Sequence, residues 1–106
     1  MSIPISSGLL DAMVLAIVSR SDTYGYEITQ FLRSAVDVSE STLYPVMRRL
    51  QKNGLLETYD KEFQGRNRRY YRITENGSEA LGEYRREWTE HKKKVDSIMT
   101  GEGKTA

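Results

Sequence analysis

Between residues 66 and 74 the sequence reads RNRRYYRIT, which sets four arginines, Arg66, Arg68, Arg69 and Arg72, around two adjacent tyrosines. A guanidinium is planar, permanently charged and donates hydrogen bonds in pairs, so arginines at this density suit the phosphate oxygens of a polyanion. The flanking sequence strengthens that reading. Residues 48 to 72 carry eight Arg or Lys against three acids, a local excess hidden in a chain of formal net charge +1. A plainer explanation is a basic strand edge that only resists aggregation. Such an edge would need no second group of cations, yet Arg48, Arg49 and Lys52 form one a short way upstream.

Other chemistry has little to work with. The chain holds no Gly-rich phosphate loop, no nucleophile paired with histidine and no metal-ligand spacing. One histidine and no cysteine exclude disulfides and a zinc site of ordinary composition. Glu83, Glu87 and Glu90 fall at helical spacings from Arg86 and Lys94, a solvated salt-bridge lattice and not an acid/base pair. The reading is a protein without catalytic residues, cofactor or metal. Asp11 interrupts the apolar run LLDAMVLAIV and no basic segment precedes it, so neither a signal peptide nor a membrane span is expected, and the location is cytoplasmic.

The elements that must carry these side chains follow from the apolar period. At 106 residues the chain makes one domain, small enough to gain from a partner subunit. The sequence predicts helices at about 6–20, 23–35 and 39–53, strands at about 55–61 and 67–73, a long helix over 75–100, and a disordered tail at 101–106. In the first helix Leu9, Met13, Ala16 and Ile17 form one stripe and Leu10, Val14 and Val18 a second, so it should pack on two partners. Asp22 or Thr23 is the expected cap of the second helix, with Ile28, Phe31, Leu32 and Ala35 facing inward. The third is the best punctuated. Ser39 should cap it, Val38 and Leu43 should form a hydrophobic staple, and Gly54 should end it. EFQGRN reads as the turn of a hairpin, and Thr74 as the cap of the last helix. There Leu81, Tyr84, Trp88, His91, Val95 and Ile98 recur at spacings of three and four, a heptad seam for pairing with another helix.

Three helices, a hairpin and a further helix give a mostly α fold with a small β-hairpin, in the order of a winged helix-turn-helix domain (1–74) followed by a C-terminal dimerisation helix (75–100). In that architecture the third helix enters the major groove and the hairpin, or wing, lies along the neighbouring backbone. On a helical wheel Leu43, Val46, Met47 and Leu50 turn inward, leaving Ser41, Tyr44, Pro45, Arg48 and Lys52 outward. Short polar groups near base edges and cations near phosphates are what a reading helix needs.

YGYEI (24–28), STLYPVMRRLQKNGLL (41–56) and GRNRRYYRIT (65–74) also resemble the signature blocks of the PadR family of bacterial transcriptional regulators, over roughly residues 6–100. Met47, Gln51, Arg69 and Ile73 stand where that pattern more often has Leu, Glu, Lys and Leu. The single helix after the wing is similar to the compact members of the family. The resemblance implies DNA contacts from Thr42, Tyr44 and Arg48 or Arg49 on the helix, and from Arg66, Arg68 or Arg69 on the wing. It also implies a homodimeric repressor of a palindromic operator on double-stranded DNA, joined through its first and last helices and responsive to a small aromatic or cationic effector. Leu10 and Val14 of the first helix and Leu81, Tyr84, Trp88, His91, Val95 and Ile98 of the last are the expected dimer contacts. Trp88 is the candidate effector contact, although a large aromatic in a seam also serves as an interface anchor. Two alternatives remain open: an adaptor that keeps the winged fold without reading DNA, and a DNA-binding regulator with no small-molecule ligand.

Overall fold

The computed structural model of the protein describes residues 6–101. Its elements are α1 (Ser7–Arg20), β1 (Thr23–Tyr24), α2 (Gly25–Arg33), α3 (Glu40–Lys52), β2 (Leu56–Phe63), β3 (Arg66–Ile73) and α4 (Glu75–Thr100). All but the first residue of the expected tail, 101–106, lie outside the described residues; Gly101 caps α4 in the left-handed region (φ 73°). Among the described residues no helix is long and apolar enough to cross a membrane.

One core holds the elements together. Leu10, Val14, Leu15 and Val18 of α1 pack with Ile28 and Leu32 of α2, Leu43, Val46, Met47 and Leu50 of α3, Leu56 of β2 and Leu81 of α4. This corrects the expectation for three dimer contacts: Leu10, Val14 and Leu81 are buried inside the protomer, where a partner cannot reach them. The second apolar stripe of α1 and the first turns of α4 pair with each other instead.

α2 departs most from its predicted form. Thr23 and Tyr24 pair antiparallel with Tyr71 and Tyr70, adding a third strand in the order β1-β3-β2. The helix therefore starts at Gly25, with Tyr24 as an N-cap whose side chain makes no capping bond, and the buried Thr23 hydroxyl donates to the Glu27 carboxylate. It ends at Arg33, where the Ser34 hydroxyl donates to the Phe31 carbonyl (2.6 Å). Phe31 and Ala35 are exposed rather than inward, and Thr29 takes a buried position because its hydroxyl donates to the Gly25 carbonyl (3.0 Å).

α3 and the wing follow the sequence signals closely. Ser39 accepts from the Thr42 N–H (3.3 Å), and Val38 packs against the core beside Leu43. Pro45 lies within the helix, where it removes the bond to the Ser41 carbonyl; both residues are exposed, so that carbonyl stays in water. Gly54 (φ 77°) lets the Leu55 N–H turn back on the Leu50 carbonyl (2.9 Å). The hairpin is longer than predicted, pairing Leu56 with Ile73 through to Phe63 with Arg66. Its turn is only Gln64–Gly65, both at positive φ (52° and 80°), the backbone that matches strand twist in a two-residue loop.

α4 begins on a tight junction. Thr74 accepts from the Gly77 N–H (3.0 Å), its hydroxyl donates to the Gly54 carbonyl (2.6 Å), and its own N–H donates to the Leu55 carbonyl (3.1 Å). A β-carbon on Gly77 would stand 2.1 Å from the Leu55 oxygen and 2.8 Å from Ile73 Cγ1. Beyond Tyr84 the helix leaves the core, and Trp88, Val95 and Ile98 are 44%, 42% and 84% exposed. The radius of gyration of 16.0 Å exceeds the roughly 13 Å of a compact chain of this length, as a projecting helix requires.

The two helical glycines of α4 should respond oppositely to alanine. Gly77→Ala meets the Leu55 backbone and is expected to destabilise by about 3 kcal/mol. Gly82→Ala finds only the mobile end of Arg86, 3.8 Å away, and should stabilise by roughly 0.5–1 kcal/mol. Urea midpoints of the two variants check this, and a shift of the same sign in both would contradict the packing described.

Candidate nucleic-acid interface

α3 presents a polar face because its apolar residues are spent on the core. Ser41, Thr42, Tyr44, Arg48 and Lys52 are exposed along it, opposite Leu43, Val46, Met47 and Leu50. At its N-terminus the hydroxyls of Ser41 and Thr42 lie 3.0 and 3.1 Å from Ser39 Oγ, so the cap holds both at the tip of the helix. The Tyr44 ring lies across the start of α2, its Cε1 3.6 Å from where a β-carbon of Gly25 would be. A β-carbon there would make ordinary van der Waals contact with the ring.

The wing divides its side chains by strand alternation. Leu56, Thr58, Tyr71 and Ile73 face the helices; Tyr59, Lys61, Arg68, Tyr70 and Arg72 face away. Burial pushes the Tyr71 hydroxyl above its ordinary pKa, aided by Tyr44 and opposed by Arg69 and Arg48. These four side chains are therefore electrostatic neighbours, which brings the middle of α3 against the last wing strand.

On the outer face an aromatic row crosses the sheet. The Tyr59 ring stacks on Tyr70 (centroids 5.7 Å apart, planes at 16°), and Tyr70 meets Tyr24 edge-on at 5.7 Å. Tyr59 donates to Asp22 (2.7 Å), a bond that is the main cause of its raised pKa, with Asp22's charge adding to it and Arg72 opposing.

The cations separate into those already engaged and those left open. Arg49 pairs with Asp11 of α1, with side chains 42% and 14% exposed. It ties α3 to α1, which leaves Arg48 the more open of the two alternatives, Arg48 or Arg49. Arg72 donates to Glu57 (3.1 Å) and approaches Asp22 (3.9 Å). Arg69 keeps a loose, exposed pair with Asp60 (3.6 Å), of a kind worth about 0–1 kcal/mol. Arg48 and Lys52 of α3 and Lys61, Arg66 and Arg68 of the wing have no carboxylate partner among the described residues; nor do Arg20, Arg33 and the Arg and Lys residues of α4.

Away from this surface, an open groove of about 1040 Å³ runs between α1 and the middle of α4. Leu9, Ala12, Met13 and Ala16 line one side, Tyr84, Trp88 and His91 the other, with Val36 at one end. The rings of Trp88 and His91 are tilted with centroids 6.2 Å apart. Of the expected seam, Tyr84 is half-buried against α1, whereas Trp88, His91, Val95 and Ile98 remain on the exposed part of α4.

The geometry agrees with comparisons to known proteins. Residues 14–83 match the pattern of the family described as "Transcriptional regulator PadR-like family". A transcriptional regulator of Mycobacterium tuberculosis is 37% identical over 94 residues, covering 88% of this chain and 85% of the relative. A crystal structure from Streptococcus mutans superposes with a TM-score of 0.90 at 40% identity over the full length of both chains. A PadR-like transcriptional regulator of Bacillus cereus gives 0.81 at 34% identity, covering 92% of this chain and 95% of its own. The fold is shared more distantly, at a TM-score of 0.64 and 20% identity, with Bacillus subtilis PadR solved in complex with operator DNA, over 71% of this chain and 45% of that one. The family match, spanning about two thirds of the sequence, together with relatives more than 30% identical over most of the chain, places the chain in the PadR-like family of transcriptional regulators.

Proposed function

We propose that the chain is a homodimeric repressor that reads a palindromic operator with α3 and the wing and is released by a small aromatic or cationic effector bound between α1 and α4. The observation that carries the DNA reading is the local excess of open cations on α3 and the wing. In a chain of net charge +1, Arg48, Lys52, Lys61, Arg66 and Arg68 stand without a carboxylate partner on the two elements that a winged helix lays on DNA, within a segment, 48–72, that holds eight cations against three acids. Ser41, Thr42 and Tyr44 are the proposed groove-facing groups, Arg48 and Lys52 the helix's phosphate contacts, and Arg66, Arg68 and Arg69 those of the wing. The operator complex of Bacillus subtilis PadR supports the same use of the shared fold.

The dimer reading rests on what the protomer leaves open. Trp88, His91, Val95 and Ile98 continue the heptad spacing beyond the last contact with α1, and a second copy of α4 is the simplest cover for them. Two recognition helices held about 34 Å apart would then meet successive major grooves on one face of the duplex. The groove beside Trp88 is largely apolar and is also lined by Arg85, Arg86, Glu87, Glu90 and Lys94, a composition that suits a flat aromatic compound with polar substituents.

Anisotropy titrations of a labelled random-sequence duplex against salt test the DNA reading. Arg48→Ala should lower the slope of log affinity on log salt by about 0.9, the loss of one phosphate contact. Arg49→Ala should leave that slope unchanged and reduce stability by about 1 kcal/mol or less. Equal slopes for wild type and Arg48→Ala would refute the assignment.

For the dimer and effector, sedimentation equilibrium of Val95→Asp/Ile98→Asp should give monomers that keep native helicity. Titrating a planar cationic dye into the wild-type protein should quench Trp88, the only tryptophan. A dimer that survives both aspartates would remove the seam from the interface.

A further inference from the structure

Arg68 stands apart from the other wing arginines. Its guanidinium carbon lies 4.0 Å from the Tyr24 ring centroid and 3.9 Å from that of Phe63, so the cation lies over both rings. Tyr24 sits on β1 at the start of α2, and Phe63 is the last residue of β2 before the wing turn. The three side chains meet diagonally on the outer face of the sheet, since Tyr24 is opposite Tyr70 and Phe63 opposite Arg66. Tyr24 is braced in turn by Tyr70 and Tyr59, and that row is anchored by the Tyr59–Asp22 hydrogen bond.

Stacking uses the faces of a guanidinium and leaves its rim, which carries five N–H donors. No acceptor among the described residues takes those donors, whereas Arg72, also over a ring (Tyr59, 4.8 Å), has its N–H groups engaged by Glu57 and Asp22. Immobilising a long side chain at an interface costs binding free energy, and a side chain already held in place avoids most of it.

We propose that Tyr24 and Phe63 are positioning residues that hold Arg68 as a preformed phosphate-binding group, directed to the diester oxygens of the duplex beside the recognition helix. This rests on the DNA-binding reading above. It assigns the aromatic pair a part in recognition that charge alone does not supply: a lysine at 68 keeps the charge but cannot present a flat face to two rings.

A double-mutant cycle tests it, with the full-length chain and the labelled random-sequence duplex titrated against salt. Phe63→Leu should weaken binding about three- to tenfold, the range of a partly desolvated cation–π contact, and lower the salt slope towards that of Arg68→Ala. Arg68→Lys should lose a similar factor, Phe63→Tyr should stay within about twofold of wild type, and Phe63→Leu in an Arg68→Ala background should cost nothing more. Additive losses, or an Arg68→Lys variant that binds like wild type, would overturn the clamp. Should Phe63→Leu fail to fold, the wild-type protein still decides: the Arg68 side-chain N–H resonances must show ring-current shifts, and their absence also overturns it. The two readings fail separately. If Arg48→Ala weakens binding while residues 63 and 68 are uncoupled, only the clamp is lost; if wild type binds no duplex at low salt, both are.

Discussion

Gly77 and Leu55 approach so closely that no side chain fits between them, and the rest of the architecture depends on that approach. Leu55 follows the glycine that ends α3, and Gly77 lies in the first turn of α4. The contact is locked on both sides by Thr74, which caps α4, bonds the Gly54 carbonyl and donates its own N–H to Leu55. Ile73, the end of the last wing strand, fills the space beside it. Three elements with separate tasks, the reading helix, the wing and the projecting helix, thus meet within a few residues. A main-chain contact of this kind has no rotamers to relax, so the angles between the three are set by backbone geometry.

The same economy governs charge. Sixteen basic residues face fifteen acidic ones, and a uniform mixture would leave no field for a polyanion. The fold breaks the mixture by pairing selected cations with acids from other elements: Arg49 with Asp11 across α1 and α3, Arg72 with Glu57 and Asp22 across the sheet. Each pair fastens two elements, and each removes a cation from the pool available to a ligand. Five of the cations that remain open, Arg48, Lys52, Lys61, Arg66 and Arg68, lie on one helix face and one hairpin, and most of the rest lie along α4. The pairs themselves, being partly exposed, contribute little to folding.

Much of this was legible in the sequence, for reasons that differ by element. Ser39, Gly54 and Gly65 announced α3 and the wing because caps and tight turns place strict demands on residue type. β1 was not visible, since two residues cannot display alternation and Thr23 reads equally well as a helix cap. The exchange of Phe31 for Thr29 in the core turned on one hydroxyl finding the Gly25 carbonyl, a local bond that hydrophobic periodicity ignores. The heptad spacing in α4 does not say whether its partner lies in the same chain. Leu81 found α1, and only the residues past Tyr84 are left for another copy. Arg49 had a signal in plain view: Asp11, an acid set within the apolar run of α1, is more than a break in hydropathy when a cation on a neighbouring helix pairs with it.

Rigid coupling at the Gly77 junction and a soft groove beside Trp88 have opposite mechanical consequences. A ligand or partner helix that shifts α4 near its first turns would have to carry α3 and β3 along, because Thr74 and Leu55 bind all three. Beyond Tyr84 the helix contributes no residue to the core among the described residues, so its angle could change without disturbing that core. In the proposed dimer, an effector seated between α1 and α4 would lie at the boundary of these two regimes, where the core contacts of α4 end. Small displacements there would rotate one α3 relative to the other while leaving each α3–wing surface intact. On that proposal the contacts that recognise DNA are fixed within a protomer and the spacing between two sets of them is adjustable.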